Sequence, residues 1–196
     1  MKLIALHGHL QNAKRFKGQT AALSRSLKKM GIELVYINAP FVCPDSGEES
    51  PLLTWIKDNS IAESEELVLK AYRENPDVVG ILGFSMGAML GLHLIALASK
   101  DPNSPFSWIK IMVSSSAPWP EDGSPLLQGF PCSSSVPILF VLGLSDQIAL
   151  PESQRKYFEH FTNKTIFEHE GAHYIPSARQ YLQNYVDFFT QHPISS

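Results

Sequence analysis

Apolar residues fall into short unbroken runs, separated by longer stretches in which apolar positions recur at helical spacing. The runs at residues 2–6, 33–37, 78–82, 108–113, 137–142 and 165–168 read as strands. Several are apolar at every position, as strands covered on both faces of a parallel sheet must be. The helical spacing predicts helices over 13–30, 62–74, 86–100, 152–161 and 178–191. Gly31 stops the first and Pro76 follows the second. The segment 86–100 is apolar almost throughout, which predicts a buried helix. Strand and helix alternate along the whole length. The expectation is one α/β domain over residues 1–196, with a mostly parallel sheet of about six strands and helices on both faces. Two connections, 38–60 and 114–136, are longer than usual and rich in Pro, Ser and aromatic residues. Long loops in compact domains often carry function.

Composition narrows the function classes. The chain has 196 residues, 44% hydrophobic and 18% charged, a globular balance. Its formal net charge is -3 and its longest basic run is Lys28-Lys29, so no nucleic-acid partner is expected. Two cysteines, Cys43 and Cys132, are too few for a disulfide scaffold and read as free thiols. The apolar run at the N-terminus is too short for a signal peptide, and no stretch has the length of a membrane span. The expected location is the cytoplasm. Oligomeric state is not legible.

Gly83-Phe84-Ser85-Met86-Gly87 matches G-x-S-x-G. It directly follows a predicted strand and opens a predicted helix, the setting of a nucleophile elbow. Side chains at positions 83 and 87 would collide with neighbouring backbone. A serine hydroxyl becomes a useful nucleophile only beside a base. In this fold type the acid and then the histidine follow the serine in sequence. Asp146 lies in a turn after the strand 137–142. His173 follows the last strand. Both sit at carboxyl ends of strands, where sites form in open α/β sheets. Ser85, Asp146 and His173 are therefore the candidate nucleophile, orienting acid and base. Glu152 and Asp122 are the alternative acids and His169 the alternative base.

The turn after the first strand, His7-Gly8-His9-Leu10-Gln11-Asn12, is expected to supply one backbone N–H to an oxyanion hole, and Met86 the other. His9 and Leu10 both remain candidates for the first. His93 falls on the elbow helix and reads as packed. No His or Cys pair has metal-ligand spacing, so neither metal nor other cofactor is expected.

Leu6-His7-Gly8-His9-Leu10-Gln11-Asn12, Gly80-Ile81-Leu82-Gly83-Phe84-Ser85-Met86-Gly87-Ala88, Gly143-Leu144-Ser145-Asp146 and His169-Glu170-Gly171-Ala172-His173-Tyr174-Ile175-Pro176 occur in this order. Together they resemble the FSH1-type family of serine hydrolases, which includes the ovarian-cancer-gene-2-like proteins. The resemblance implies a compact α/β-hydrolase without a large cap domain, acting on carboxylic esters. It departs at Met86, where the family commonly has Gln, and at His9, where it often has an aromatic residue. Backbone donors survive both changes, so hydrolysis is still implied and substrate choice is left open.

The expected substrate is a small ester or thioester. Apolar residues of the two long loops, among them Phe41, Trp55 and Trp119, are the candidate pocket lining. They point to short-to-medium acyl esters cleaved through an acyl-enzyme. An acyl thioesterase and a catalytically silent binding module are the alternatives.

Overall fold

The computed structural model describes residues 1–43 and 51–194. Part of the expected first long loop, residues 44–50, lies outside them. Six strands form one sheet: β1 (Lys2–Leu6), β2 (Glu33–Ile37), β5 (Val78–Phe84), β6 (Ile111–Ser115), β7 (Ile138–Gly143) and β8 (Lys164–His169). Their order is β2-β1-β5-β6-β7-β8, and every neighbouring pair is parallel. Two short strands, β3 (Phe41–Val42) and β4 (Leu53–Thr54), form a separate antiparallel pair inside the first long loop. No alternation signal is readable over two residues.

The two sides of the sheet follow from the two-residue period of a strand. Ile4 and Leu6 of β1 pack in a cluster with α3 (Ala62–Glu74) and α4 (Met86–Lys100). Leu3 and Ala5 face the other way, towards α1 (Ala13–Gln19), α2 (Ala21–Lys28) and α6 (Leu182–Gln191), through Phe16, Leu23, Leu27, Tyr185 and Phe188. All of these side chains are buried. Helix α4 is apolar on every side because it is buried between β5, β6 and the second long loop.

Helices α3 and α4 match the expected bounds; three others depart from them. The segment 13–30 is two helices, broken at Thr20 (φ -98°, ψ 10°). Thr20 Oγ1 donates to Phe16 O at 2.8 Å and lies 2.6 Å from the Tyr36 hydroxyl, the local side-chain-to-backbone bond that bends helices. Segment 152–161 is α5 (Pro151–Arg155) followed by a 3-10 turn, Lys156–Glu159. There Tyr157 turns inward and donates its hydroxyl to Pro118 O at 3.0 Å. The C-terminal helix begins as a 3-10 turn, Arg179–Tyr181. Strand β6 lies later than expected, because its serines at 114 and 115 continue the ladder. Ser115 O is needed there: it accepts from Ser85 N at 2.9 Å.

Candidate active site

Strand β5 delivers Ser85 into a turn that only close-packed glycines permit. A Cβ on Gly83 would lie 2.5 Å from Ala88 Cα, and one on Gly87 would lie 2.3 Å from Leu6 O. The clashes expected from the sequence are therefore physical. Ser85 itself adopts φ 53° and ψ -121°, a left-handed strain at a functional position. The turn starts α4 at Met86 and aims its free N-terminal amides at the serine.

The three candidate side chains meet from three strand ends. Ser85 Oγ lies 3.0 Å from His173 Nε2, and His173 Nδ1 lies 2.8 Å from Asp146 Oδ2. Asp146 is fully buried. Its other oxygen, Oδ1, accepts from Ile148 N at 2.9 Å and Ala149 N at 2.8 Å, so every close partner of the carboxylate is a donor. The histidine loop is pinned to the turn after β7. Ser145 N donates to Gly171 O, and Ser145 Oγ donates to Glu170 O. The alternative base, His169, is occupied differently: its Nδ1 accepts from Gly171 N at 3.1 Å. Burial lowers its pKa, opposed by the charges of Asp146 and Glu170. It props the loop that carries His173. Glu152 begins α5 and Asp122 sits on a cavity wall, and neither hydrogen-bonds His173.

In the first loop the amides of His9 and Leu10 differ in their partners. Leu10 N donates to Leu53 O at 3.1 Å and so is committed elsewhere. Gly8 N donates to Gln11 Oε1. Among the described residues, His9 N and Met86 N have no acceptor, which leaves them as the candidate oxyanion donors.

Beneath this loop is a buried group to which the sequence reading gave no role of its own. His7 is fully buried. Its Nε2 accepts from Ala39 N at 3.0 Å, so Nδ1 carries the proton and donates to Gly8 O at 2.7 Å. Burial lowers its pKa from the ordinary 6.5, and the bond to Gly8 opposes this more weakly. The unfolded chain therefore binds a proton that the folded one refuses. Stability attributable to His7 is complete above about pH 6.5 and is lost as pH falls below it. Thermal unfolding midpoints should fall between about pH 7 and pH 5. A midpoint that stays flat or rises over that range contradicts the assignment.

The site opens on a cavity of about 760 Å³ lined by Ser85, Met86, Met89, Ile56, Trp119, Ile148 and Leu150, with Glu121 and Asp122 at one side. Trp119 of the second long loop and Ile56 of the first line it as the loop reading expects, with Met86 beside the nucleophile; Phe41 and Trp55 do not. Trp55 is fully buried and donates Nε1 to His7 O at 2.7 Å: it holds the first loop from behind. Phe41 pairs with Thr54 in β3 and does not line the cavity. Sequence reading missed Met89, Ile148 and Leu150. Ile148 and Leu150 are exposed apolar residues directly after Asp146, and that exposure is visible only in three dimensions. Among the described residues no group of His, Cys, Asp and Glu could hold a metal, and no helix is long and apolar enough to cross a membrane.

A family model for serine hydrolases (FSH1) matches residues 1–185. The esterase OVCA2 of Danio rerio is 28% identical, over 96% of each chain. Its counterpart from Mus musculus is also 28% identical, over 97% of this chain and 96% of that one. Among solved structures, Arabidopsis thaliana SOBER1 superposes with a TM-score of 0.69 at 16% identity, over 97% of this chain and 98% of that one. Zea mays acyl-protein thioesterase 2 superposes with 0.65 at 18%, over 97% and 92%. Likeness at these identities speaks for the fold alone.

Proposed function

Because the chain belongs to the serine hydrolase (FSH1) family, we propose that it is an esterase, in line with its OVCA2 relatives, in which Ser85, His173 and Asp146 hydrolyse carboxylic esters of short-to-medium acyl chains. The observation that carries the reading is the unbroken relay from Ser85 Oγ through the His173 ring to Asp146, opening on a mixed cavity with a largely apolar part.

In this reading His173 Nε2 takes the Ser85 proton as Oγ attacks the ester carbon. The oxyanion forms between His9 N–H and Met86 N–H, where donors are already aimed and need no reorganisation. As the tetrahedral intermediate collapses, the C–O bond to the alcohol breaks and His173 returns the proton to the leaving oxygen. Ser85 keeps the acyl group. A water then repeats the path: it gives its proton to His173, attacks the acyl carbon and releases the carboxylic acid, and the proton returns to Ser85. Asp146 holds the imidazole with Nδ1 protonated throughout and stabilises its cation.

The cavity sets the expected acyl preference. Met86, Met89, Ile56, Trp119 and Leu150 would bury an alkyl chain, each methylene contributing up to ~0.8 kcal/mol. A p-nitrophenyl ester series should give kcat/KM rising from acetate through butyrate to octanoate and levelling or falling beyond. A steady rise out to palmitate would reject this limit, and activity confined to acetate would reject the acyl pocket. Thioesters of the same acids, run beside each ester, compare the two leaving groups. Labelling by a fluorophosphonate, lost in Ser85→Ala, tests the nucleophile itself.

A further inference from the structure

Nothing in the hydrolytic relay uses His93, yet it is a fully buried histidine on the helix that begins at the nucleophile. It lies two turns along α4 from Met86, on the same face as that cavity-lining residue. Its ring bonds two segments far apart in sequence. Nδ1 lies 3.1 Å from Leu126 O, and Nε2 lies 2.9 Å from Glu65 Oε1.

Each partner continues into one wall of the cavity. Leu126 is in the 3-10 turn Pro125–Leu127, directly after Pro118, Trp119, Pro120, Gly123 and Ser124 of one wall. Glu65 is in the first turn of α3, directly after the segment that carries Ile56 and Asn59 of a second wall. That segment is tied to the same helix turn, where Ser64 Oγ donates to Trp55 O at 2.6 Å. The walls touch again at the rim, where Asn59 Nδ2 reaches Gly123 O at 3.4 Å. At 3.4 Å between exposed groups, this contact is weak. The buried anchor at His93 is the stronger of the two links.

We infer that His93 is a positioning residue for acyl-chain selection: with Glu65 it clamps both walls of the substrate cavity to the elbow helix and so sets the cavity's width. A carbonyl oxygen only accepts, so Nδ1 carries a proton and donates to Leu126 O. The Nε2–Glu65 contact then shares a further proton between ring and carboxylate. Removing Glu65 leaves Nε2 buried without its partner and frees one wall. Glutamine at 65 keeps the link, because its amide donates to an unprotonated Nε2. An ester too short to reach the walls gains nothing from the clamp. A longer acyl chain, which lies between them, depends on it.

The inference rests on the esterase reading and is tested apart from it. Wild type, Glu65→Ala, Glu65→Gln and His93→Asn are compared on p-nitrophenyl acetate and octanoate. The asparagine amide stands where Nδ1 stood, so it retains the Leu126 bond and loses the Glu65 bond. In Glu65→Ala and His93→Asn, kcat/KM for octanoate should drop about tenfold through KM, with kcat on acetate held within about twofold. Glu65→Gln should restore the wild-type profile. Equal losses on both esters would reduce the clamp to a general structural role and overturn the inference. So would an unchanged chain-length profile in Glu65→Ala, or a Glu65→Gln protein as impaired as the alanine variant. Glu65 is partly exposed, so its variants carry the test if His93→Asn does not fold. A wild-type protein inactive on every ester would sink the esterase reading; an active wild type with an indifferent Glu65→Ala sinks only this one.

Discussion

Ser85→Ala should lower kcat on a p-nitrophenyl ester by about five to six powers of ten, and His173→Ala should do nearly the same. The two lie 3.0 Å apart and act as one device. Without the base the hydroxyl is inert, and without the hydroxyl the base has nothing to activate. The double variant should therefore be no slower than either single one. What rate survives reflects binding and the N–H donors of His9 and Met86, which neither substitution touches. Steady-state kinetics on protein of confirmed fold decide the matter. Turnover by Ser85→Ala near the wild-type rate would remove the nucleophile from the mechanism.

The second large effect is expected from Asp146→Asn, for a reason specific to this site. Asp146 Oδ1 holds two backbone amides, those of Ile148 and Ala149. An asparagine must put its oxygen there, since its NH2 group would meet two donors. That choice turns the NH2 group towards His173 Nδ1. The ring must then accept at Nδ1 and carry its proton on Nε2, facing Ser85 with a donor where a base is needed. The wrong tautomer costs about four powers of ten in kcat where a buried orienting acid is changed this way. Asp146→Ala imposes no tautomer and should be no slower than Asp146→Asn, apart from any loss of fold. A kcat for Asp146→Asn within a few-fold of wild type would require a different acid. An asparagine variant clearly faster than the alanine one would contradict the orientation argument.

The features legible in the sequence were those whose cause is local. The elbow could be read because its residue spacing is local and Gly83 answers to Ala88 and Gly87 in the same turn, although the space Gly87 leaves is for Leu6 O and His7 O at the end of β1. Helix α3 was found at both ends because Pro76 restricts the residue before it, and an amphipathic run begins at Ala62. Asp146 and His173 were candidates from their strand-end positions and their order after Ser85, and the structure brings the three side chains together. Features that depend on distant backbone were not legible. Leu10 looked as good an oxyanion donor as His9 until Leu53 was found to hold its N–H. Trp55 looked like pocket lining because an aromatic residue in a long loop has no local reason to turn inward. Its indole N–H found a buried acceptor at His7 O, on another strand end. His93 reads correctly as packed, but the partners of His7 and His93 are not legible. Their partners, Ala39 for one and Glu65 and Leu126 for the other, become neighbours only when the sheet closes.

The strand order has a consequence for how the hydrolytic centre comes into being. The proposed nucleophile stands at the end of β5, the proposed acid after β7 and the proposed base after β8, the edge strand that comes last in sequence. Ser85 and His173 are separated by 88 positions in sequence, and parallel neighbours cannot pair through a tight hairpin. Contacts of such long range form slowly, because the intervening chain must be ordered before they repay it. A polypeptide growing from its N-terminus thus exposes the strained serine, its glycines and the first loop well before any base exists to activate it. In the proposed mechanism the site is complete only once β8 is paired with β7 and the histidine loop is held at Ser145. On that reading a chain that ends before β8 should show no hydrolysis, for the same topological reason that the complete sheet assembles the relay.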